Sequence, residues 1–177
     1  ELRRAAGFDD DPVGDRRAER APGLLHKYHG RALLITTGAC AVHCRYCFRR
    51  AFPYSESVGS TRLDAALKAL AALPDVDEVI LSGGDPLSLR DERLAELVER
   101  LAAMPHLRRL RVHTRVPVTI PSRVTPTLVA WLTRTRLTPV MVLHVNHAQE
   151  IDDTLIEALR PLRAAGVSLL NQAVLLK

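Results

Sequence analysis

Short apolar runs recur about every 30 residues along this chain, each followed by an amphipathic stretch of helical period, and that alternation limits the fold more than any other feature. The runs at 32–35, 78–81, 110–112, 140–143 and 167–170 read as buried strands. Between them, Leu63, Leu67, Leu70 and Leu73 recur at helical spacing, as do Leu94, Leu97, Val98 and Leu101. Leu128, Val129 and Leu132 mark a third helix, and Leu155, Ile156, Leu159 and Leu162 a fourth. Local punctuation agrees. Thr61 is a candidate cap for the first helix, Pro74 and Pro105 close the first two, and Thr125 with Pro126 opens the third. Gly166 stops the fourth, and Pro161 inside it predicts a kink.

Strand–helix–strand repeats of this length imply parallel βαβ units with right-handed crossovers. The predicted fold class is therefore α/β, a partial (β/α) barrel, with a doubly wound sheet as the alternative that pattern alone leaves open. In either, chemistry belongs in the loops after the strand C-termini, which begin here at Thr36, Ser82, His113, His144 and Asn171. Composition narrows the class of protein. With 47% hydrophobic and 25% charged residues the chain matches a soluble globular domain, and no run approaches the roughly 18 apolar residues of a membrane helix. Lys+Arg 25 against Asp+Glu 20 gives +5, concentrated in arginine clusters at 3–20, 108–115 and 134–136, which admits an anionic partner without requiring one. The chain starts at Glu1 and stops just after the apolar run 167–176, so the reading predicts an internal fragment, truncated at the C-terminus.

All three cysteines fall in Cys40-Ala41-Val42-His43-Cys44-Arg45-Tyr46-Cys47, a C-x3-C-x2-C spacing in the loop after the first predicted strand. An odd number packed this tightly is no secreted disulfide framework, which favours reduced thiols or metal ligands and a cytoplasmic setting. Three thiolates on one loop can hold three irons of a 4Fe-4S cluster and leave the fourth open for chemistry. A structural Cys3His zinc site remains the alternative.

Other polar groups gather at the predicted strand ends. In Ser82-Gly83-Gly84-Asp85-Pro86 the glycines let backbone approach a ligand and Asp85 suits an ammonium, although an ordinary βα turn with Asp85 capping the next loop reads equally well. Arg49 and Arg50 follow the cysteines; a guanidinium there can fork onto a carboxylate or simply be solvated. Lys27, Tyr28 and Arg31 could hold a phosphate or form a basic lead-in. His144, Asn146, His147, Asn171, Gln172 and Arg115 offer hydrogen bonds at the same predicted end, against the plainer reading of satisfied core and surface groups.

The cysteine triplet with an aromatic before its last member resembles the radical S-adenosylmethionine (SAM) enzymes. Five blocks in order extend the likeness: HKYHGRALLITTGACAVHCRYCFRRAFPY at 26–54, SGGDPL at 82–87, RVHTRVPVTIPSRVT at 111–125, HVNHAQEID at 144–152 and NQAVLLK at 171–177. Together they resemble the lysine 2,3-aminomutase family, and within it the elongation factor P-lysine 2,3-aminomutases of bacteria. That resemblance implies a lead-in at 1–25 and an incomplete radical SAM core at 26–177. It implies conversion of L-lysine to β-lysine with a 4Fe-4S cluster, SAM and pyridoxal 5′-phosphate (PLP). It assigns Cys40, Cys44 and Cys47 to the cluster, and Gly83, Gly84, Asp85, Arg115, His144 and Gln172 to SAM. Arg49 would take the substrate carboxylate, and Lys27, Tyr28 and Arg31 the PLP phosphate. The family's PLP-anchoring lysine lies beyond this chain and is not Lys177. Implied partners are free lysine, an electron donor such as flavodoxin or ferredoxin, and an elongation factor P ligase, with homo-oligomerisation left open. Related enzymes act on glutamate or arginine, other radical SAM enzymes modify RNA, and a non-catalytic zinc module is the third alternative.

Overall fold

The computed structural model describes residues 9–174; Lys177 and the first arginines of the 3–20 cluster lie outside the described residues. Strands β1 (Glu19–Ala21), β2 (Leu24–Tyr28) and β3 (Arg31–Thr37) run as an antiparallel meander. After the cysteine loop come the short α1 (Tyr54–Ser57), α2 (Ser60–Ala71), β4 (Glu78–Gly83), α3 (Asp91–Ala102) and β5 (Arg109–Thr114). The short α4 (Val116–Thr119), α5 (Pro126–Thr133), β6 (Thr138–Leu143), α6 (Asp153–Ala164) and β7 (Ser168–Asn171) complete the chain. The seven strands lie in sequence order, with β3 to β7 all parallel. A doubly wound sheet would reverse its order at a switch point; an unbroken sequential order is that of an open barrel.

Strand alternation sorts the side chains between two faces. Val79, Leu81, Leu110, Val112, Met141 and Leu143 join one core with Leu67, Leu70, Leu94, Leu101, Leu128, Leu132 and Leu162 from the helices. Every helix leucine in that set is at most 3% exposed, and removing one such side chain typically costs about 2–5 kcal/mol. The helices therefore cover one face only. The intervening positions, Ile80 and Ser82, Arg111 and His113, Val142 and His144, belong by the same alternation to the other face, which is why polar groups collect along it toward the strand C-termini.

The structure adds detail at several of these points. The segment before residue 26 is part of the sheet: Leu24 and Leu25, 0% and 3% exposed, pair with Leu34 and Leu33, so β2 straddles the boundary between residues 25 and 26. Two apolar residues in a polar stretch were too short a signal to reveal a strand. Thr61 is no cap, because Gly59 precedes a helix that already starts at Ser60. Thr125 and Asp152 do cap, accepting from the backbone N–H groups of Leu128 and Leu155 at 3.0 and 2.8 Å. Helix α6 continues through Pro161 to Ala164. No helix among the described residues is long and apolar enough to cross a membrane.

Candidate functional site

Cys40, Cys44 and Cys47 line one cavity of about 410 Å³ at the C-terminal ends of the parallel strands. Gly83, Gly84 and Asp85, then His113 and Arg115, then His144 and Gln172 share its wall, together with Arg49. Burial pushes the Cys40 thiol up to about 11, and the neighbouring Asp85 carboxylate adds to the effect. Ionising it requires a compensating positive charge at the site.

The glycine turn fastens the cysteine loop to the sheet. A Cβ on Gly84 would stand 2.3 Å from the carbonyl oxygen of Ala39, and one on Gly83, whose φ is +126°, 2.5 Å from that of Thr37. Both glycines thus serve a backbone-to-backbone approach within the chain. Gly84 N–H donates to Thr37 O at 2.7 Å and Asp85 N–H to Ala39 O at 2.8 Å. Tyr54, which sequence reasoning passed over, closes the seam by donating its hydroxyl to Gly83 O at 2.8 Å. Burial raises that phenol to about 12.

Asp85 is 5% exposed and its carboxylate is fully used inside the protein. Oδ1 accepts from Leu87 N–H at 3.0 Å and the Thr114 hydroxyl at 2.7 Å; Oδ2 accepts from the N–H groups of Arg115 and Val116 at 2.7 and 3.2 Å. Four donors occupy its lone-pair directions. The geometry gives Asp85 a capping role that ties the β4 turn to the end of β5.

Arg115 donates to Glu150 at 2.7 Å, stands 3.7 Å from the Cys44 sulfur and lies over the Tyr46 ring at 5.6 Å. Asn146 bonds the Tyr46 hydroxyl, and its Oδ1 accepts from Val174 N–H at 2.8 Å. Asn171 bonds both backbone groups of Val145, and His147 caps a short turn through Gln149 N–H, so these two are structural. Arg50 is exposed and bonds Arg45 O.

His113 and His144 meet edge to face at 5.7 Å, each with a buried Nε2 that meets no hydrogen-bond partner within 3.5 Å among the described residues. Burial, with His144, Arg111 and Arg49 nearby, lowers His113 to about 4; burial also lowers His144. His113 is a wall residue the sequence reading marked only as a loop start, and its spacing of two from Arg111 was the available signal. Because folding depresses its pKa below the ordinary 6.5, the unfolded chain binds a proton the folded one refuses as pH falls. Stability of the full-length protein should drop between about pH 6.5 and 4, and His113→Asn should flatten that part of the pH–denaturation curve. An unchanged slope would show that the imidazole is not held neutral.

Residues 34–174 match the Radical SAM superfamily. The chain belongs to that superfamily. It is 51% identical over 174 residues to an L-lysine 2,3-aminomutase of Escherichia coli, covering 98% of this chain and 51% of the relative. It is 49% identical over 178 residues to one from Haemophilus influenzae, covering 100% and 53%, and 39% identical over 180 residues to one from Clostridium subterminale, covering 100% and 43%. The chain spans about half the length of the curated relatives it matches.

Radical SAM chemistry uses a 4Fe-4S cluster and SAM, and the cavity fits both in kind. Three soft thiols line it from one loop, and His113 and His144 add two imidazole nitrogens without a partner among the described residues. Among the described residues no group of three or more His, Cys, Asp or Glu side chains is gathered around one point. The proposed phosphate residues sit elsewhere. Tyr28, 63% exposed, pairs with Arg31 at the N-terminal end of β3, six residues or about 20 Å of strand below Thr37. Neither lines the cavity. Arg31 nonetheless alternates onto the face of Leu33 and Ile35, the same face that carries Ser82 and His113. Lys27 bonds Asp15 at 3.4 Å and the Val13 carbonyl.

Proposed function

We propose that the protein containing this chain is a radical SAM, PLP-dependent 2,3-aminomutase that converts L-lysine to β-lysine. The observation that carries this reading is one cavity shared by the three cysteines and the nearly buried Arg49. A metal-cluster donor set and a carboxylate-reading cation thus face the same space. The names and identities of the E. coli and H. influenzae relatives support the reaction class.

When bound, the cluster and SAM supply a 5′-deoxyadenosyl radical and PLP supplies an electron sink for the migrating amino group. Cys40, Cys44 and Cys47 hold the cluster, and Arg115 sets positive charge beside the Cys44 sulfur. His144 and Gln172 offer hydrogen bonds to SAM from the ends of β6 and β7, while Gly83, Gly84 and Asp85 keep the wall in register. Arg49 orients the substrate through its carboxylate. Lys27, Tyr28 and Arg31 would take the PLP phosphate, and the lysine anchoring PLP would be supplied from outside residues 1–177. A primary carbon radical must meet only its substrate, so this reading requires the full-length protein to keep water from the cavity.

β-Lysine from this reaction is destined for a lysine of elongation factor P through a separate ligase, in the cytoplasm, with electrons from a flavodoxin or ferredoxin. The full-length protein, reconstituted anaerobically with iron, sulfide, SAM, PLP and a reductant, should turn L-lysine into β-lysine separable by chromatography. Turnover of glutamate or arginine in preference to lysine would reassign the substrate, and no amino-acid isomerisation at all would sink the reading. Arg49→Gln removes a charge-assisted fork worth about 1.5–3 kcal/mol, so the lysine KM should rise roughly 10- to 150-fold while SAM still binds. An unchanged KM would mean the carboxylate is held elsewhere.

A further inference from the structure

Arg49 does not face the cavity as a free cation. Its Nε donates to Asp15 Oδ2 at 2.7 Å and its Nη1 to the Ser82 hydroxyl at 2.8 Å, while its guanidinium lies 4.9 Å from the centre of the Phe48 ring. Arg49, Asp15 and Ser82 are 9%, 5% and 6% exposed. A guanidinium has five N–H donors, and two are used here. Among the described residues the rest have no protein acceptor, and the group lines the cavity. Asp15 is itself fixed. Its backbone N–H donates to Asp11 Oδ1 at 2.8 Å, and its Oδ1 receives Lys27 Nζ at 3.4 Å.

We infer that Asp15 is a positioning residue for the substrate: it pins the Nε edge of Arg49, with Ser82 as the second anchor, so that the remaining N–H groups meet the amino acid's carboxylate already oriented. This rests on the assignment of Arg49 to the substrate carboxylate. An arginine side chain has several rotatable bonds, and a clamp at two of its nitrogens removes the ordering that binding would otherwise require. Asp15 acts through Arg49. Its position in the sequence, 34 residues before Arg49, gave no hint of the pairing.

The test is a double-mutant cycle in the full-length holoenzyme, reading lysine KM, SAM affinity and cluster content. Asp15→Asn, which keeps the shape and removes the charge, should raise lysine KM by about tenfold or more, with iron content and SAM affinity unchanged. Ser82→Ala should give a smaller rise of the same kind. In an Arg49→Gln background, Asp15→Asn should add nothing, because the group it positions is gone. Equal effects of Asp15→Asn in both backgrounds would overturn the inference in favour of a structural role. So would a normal lysine KM in Asp15→Asn when Arg49→Gln alone is impaired. Normal lysine KM in Arg49→Gln itself would instead overturn the assignment of Arg49 and leave the pairing without a substrate to serve. If Asp15→Asn were unstable, Ser82→Ala carries the same comparison, and additivity with Arg49→Gln would again refute it.

Discussion

Replacing Cys40, Cys44 or Cys47 by alanine, one at a time, abolishes the iron–sulfur chromophore and reductive SAM cleavage in the anaerobically reconstituted full-length protein. Residues 1–177 contain no fourth cysteine to substitute for a lost ligand. Three polar groups near the loop are already engaged. His147 is tied to the Gln149 N–H, Asp85 is enclosed by four donors, and Glu150 is paired with Arg115. Loss should be complete within detection for all three variants, read as iron and sulfide per chain and as 5′-deoxyadenosine formed. A variant retaining a full cluster would remove that cysteine from the ligand set. Wild-type protein holding zinc and no iron would remove the cluster altogether.

The second large effect is on the fold. Asp85→Asn keeps the size of the side chain but turns one acceptor oxygen into an NH2 group. Whichever way the amide is oriented, it points two hydrogens at groups that are themselves donors: Leu87 N–H and the Thr114 hydroxyl on one side, Arg115 and Val116 N–H on the other. Only the hydroxyl can turn to accept. Buried charge-assisted hydrogen bonds contribute about 1.5–3 kcal/mol each, so the substitution should destabilise the protein by about 3 kcal/mol or more. Denaturant unfolding of the full-length protein reads this directly. Loss of SAM affinity with unaltered stability would return the Asp85 carboxylate to the ligand.

Much of this architecture was legible in the sequence, for identifiable reasons. Strands β3 to β7 and helices α2, α3, α5 and α6 declare themselves because each has an apolar period of its own, and the cap at Thr125 is decided within three residues. The cysteine loop was equally local. What escaped the sequence depends on pairs distant along the chain. Asp15 meets Arg49 across 34 residues, Tyr54 reaches Gly83 across 29, and Asp85 receives the backbone of Arg115 across 30. A residue's type gives its bonding capacity but not its partner. For that reason Asp85 read as well for a ligand contact as for a cap, and His113 went unassigned until the alternation of β5 set it beside His144. The β1–β2 hairpin was hidden differently: its hold on the sheet rests on two leucines, which in isolation have no period.

The glycine seam has a consequence for engineering. The cysteine loop is attached to its neighbour by carbonyls and amides rather than by side chains, with contact too close at Gly84 to admit even a methyl group. The height of the loop above the sheet is therefore set by the register of β3 against β4, a property of two strands and not of the loop's own sequence. Grafting residues 38–50 alone onto another β/α scaffold would transplant the sulfurs without the ruler that measures their position. The smallest portable unit includes the partner turn 82–87, and a transplanted pair of segments would remain sensitive to a one-residue slip between strands even with every cysteine intact.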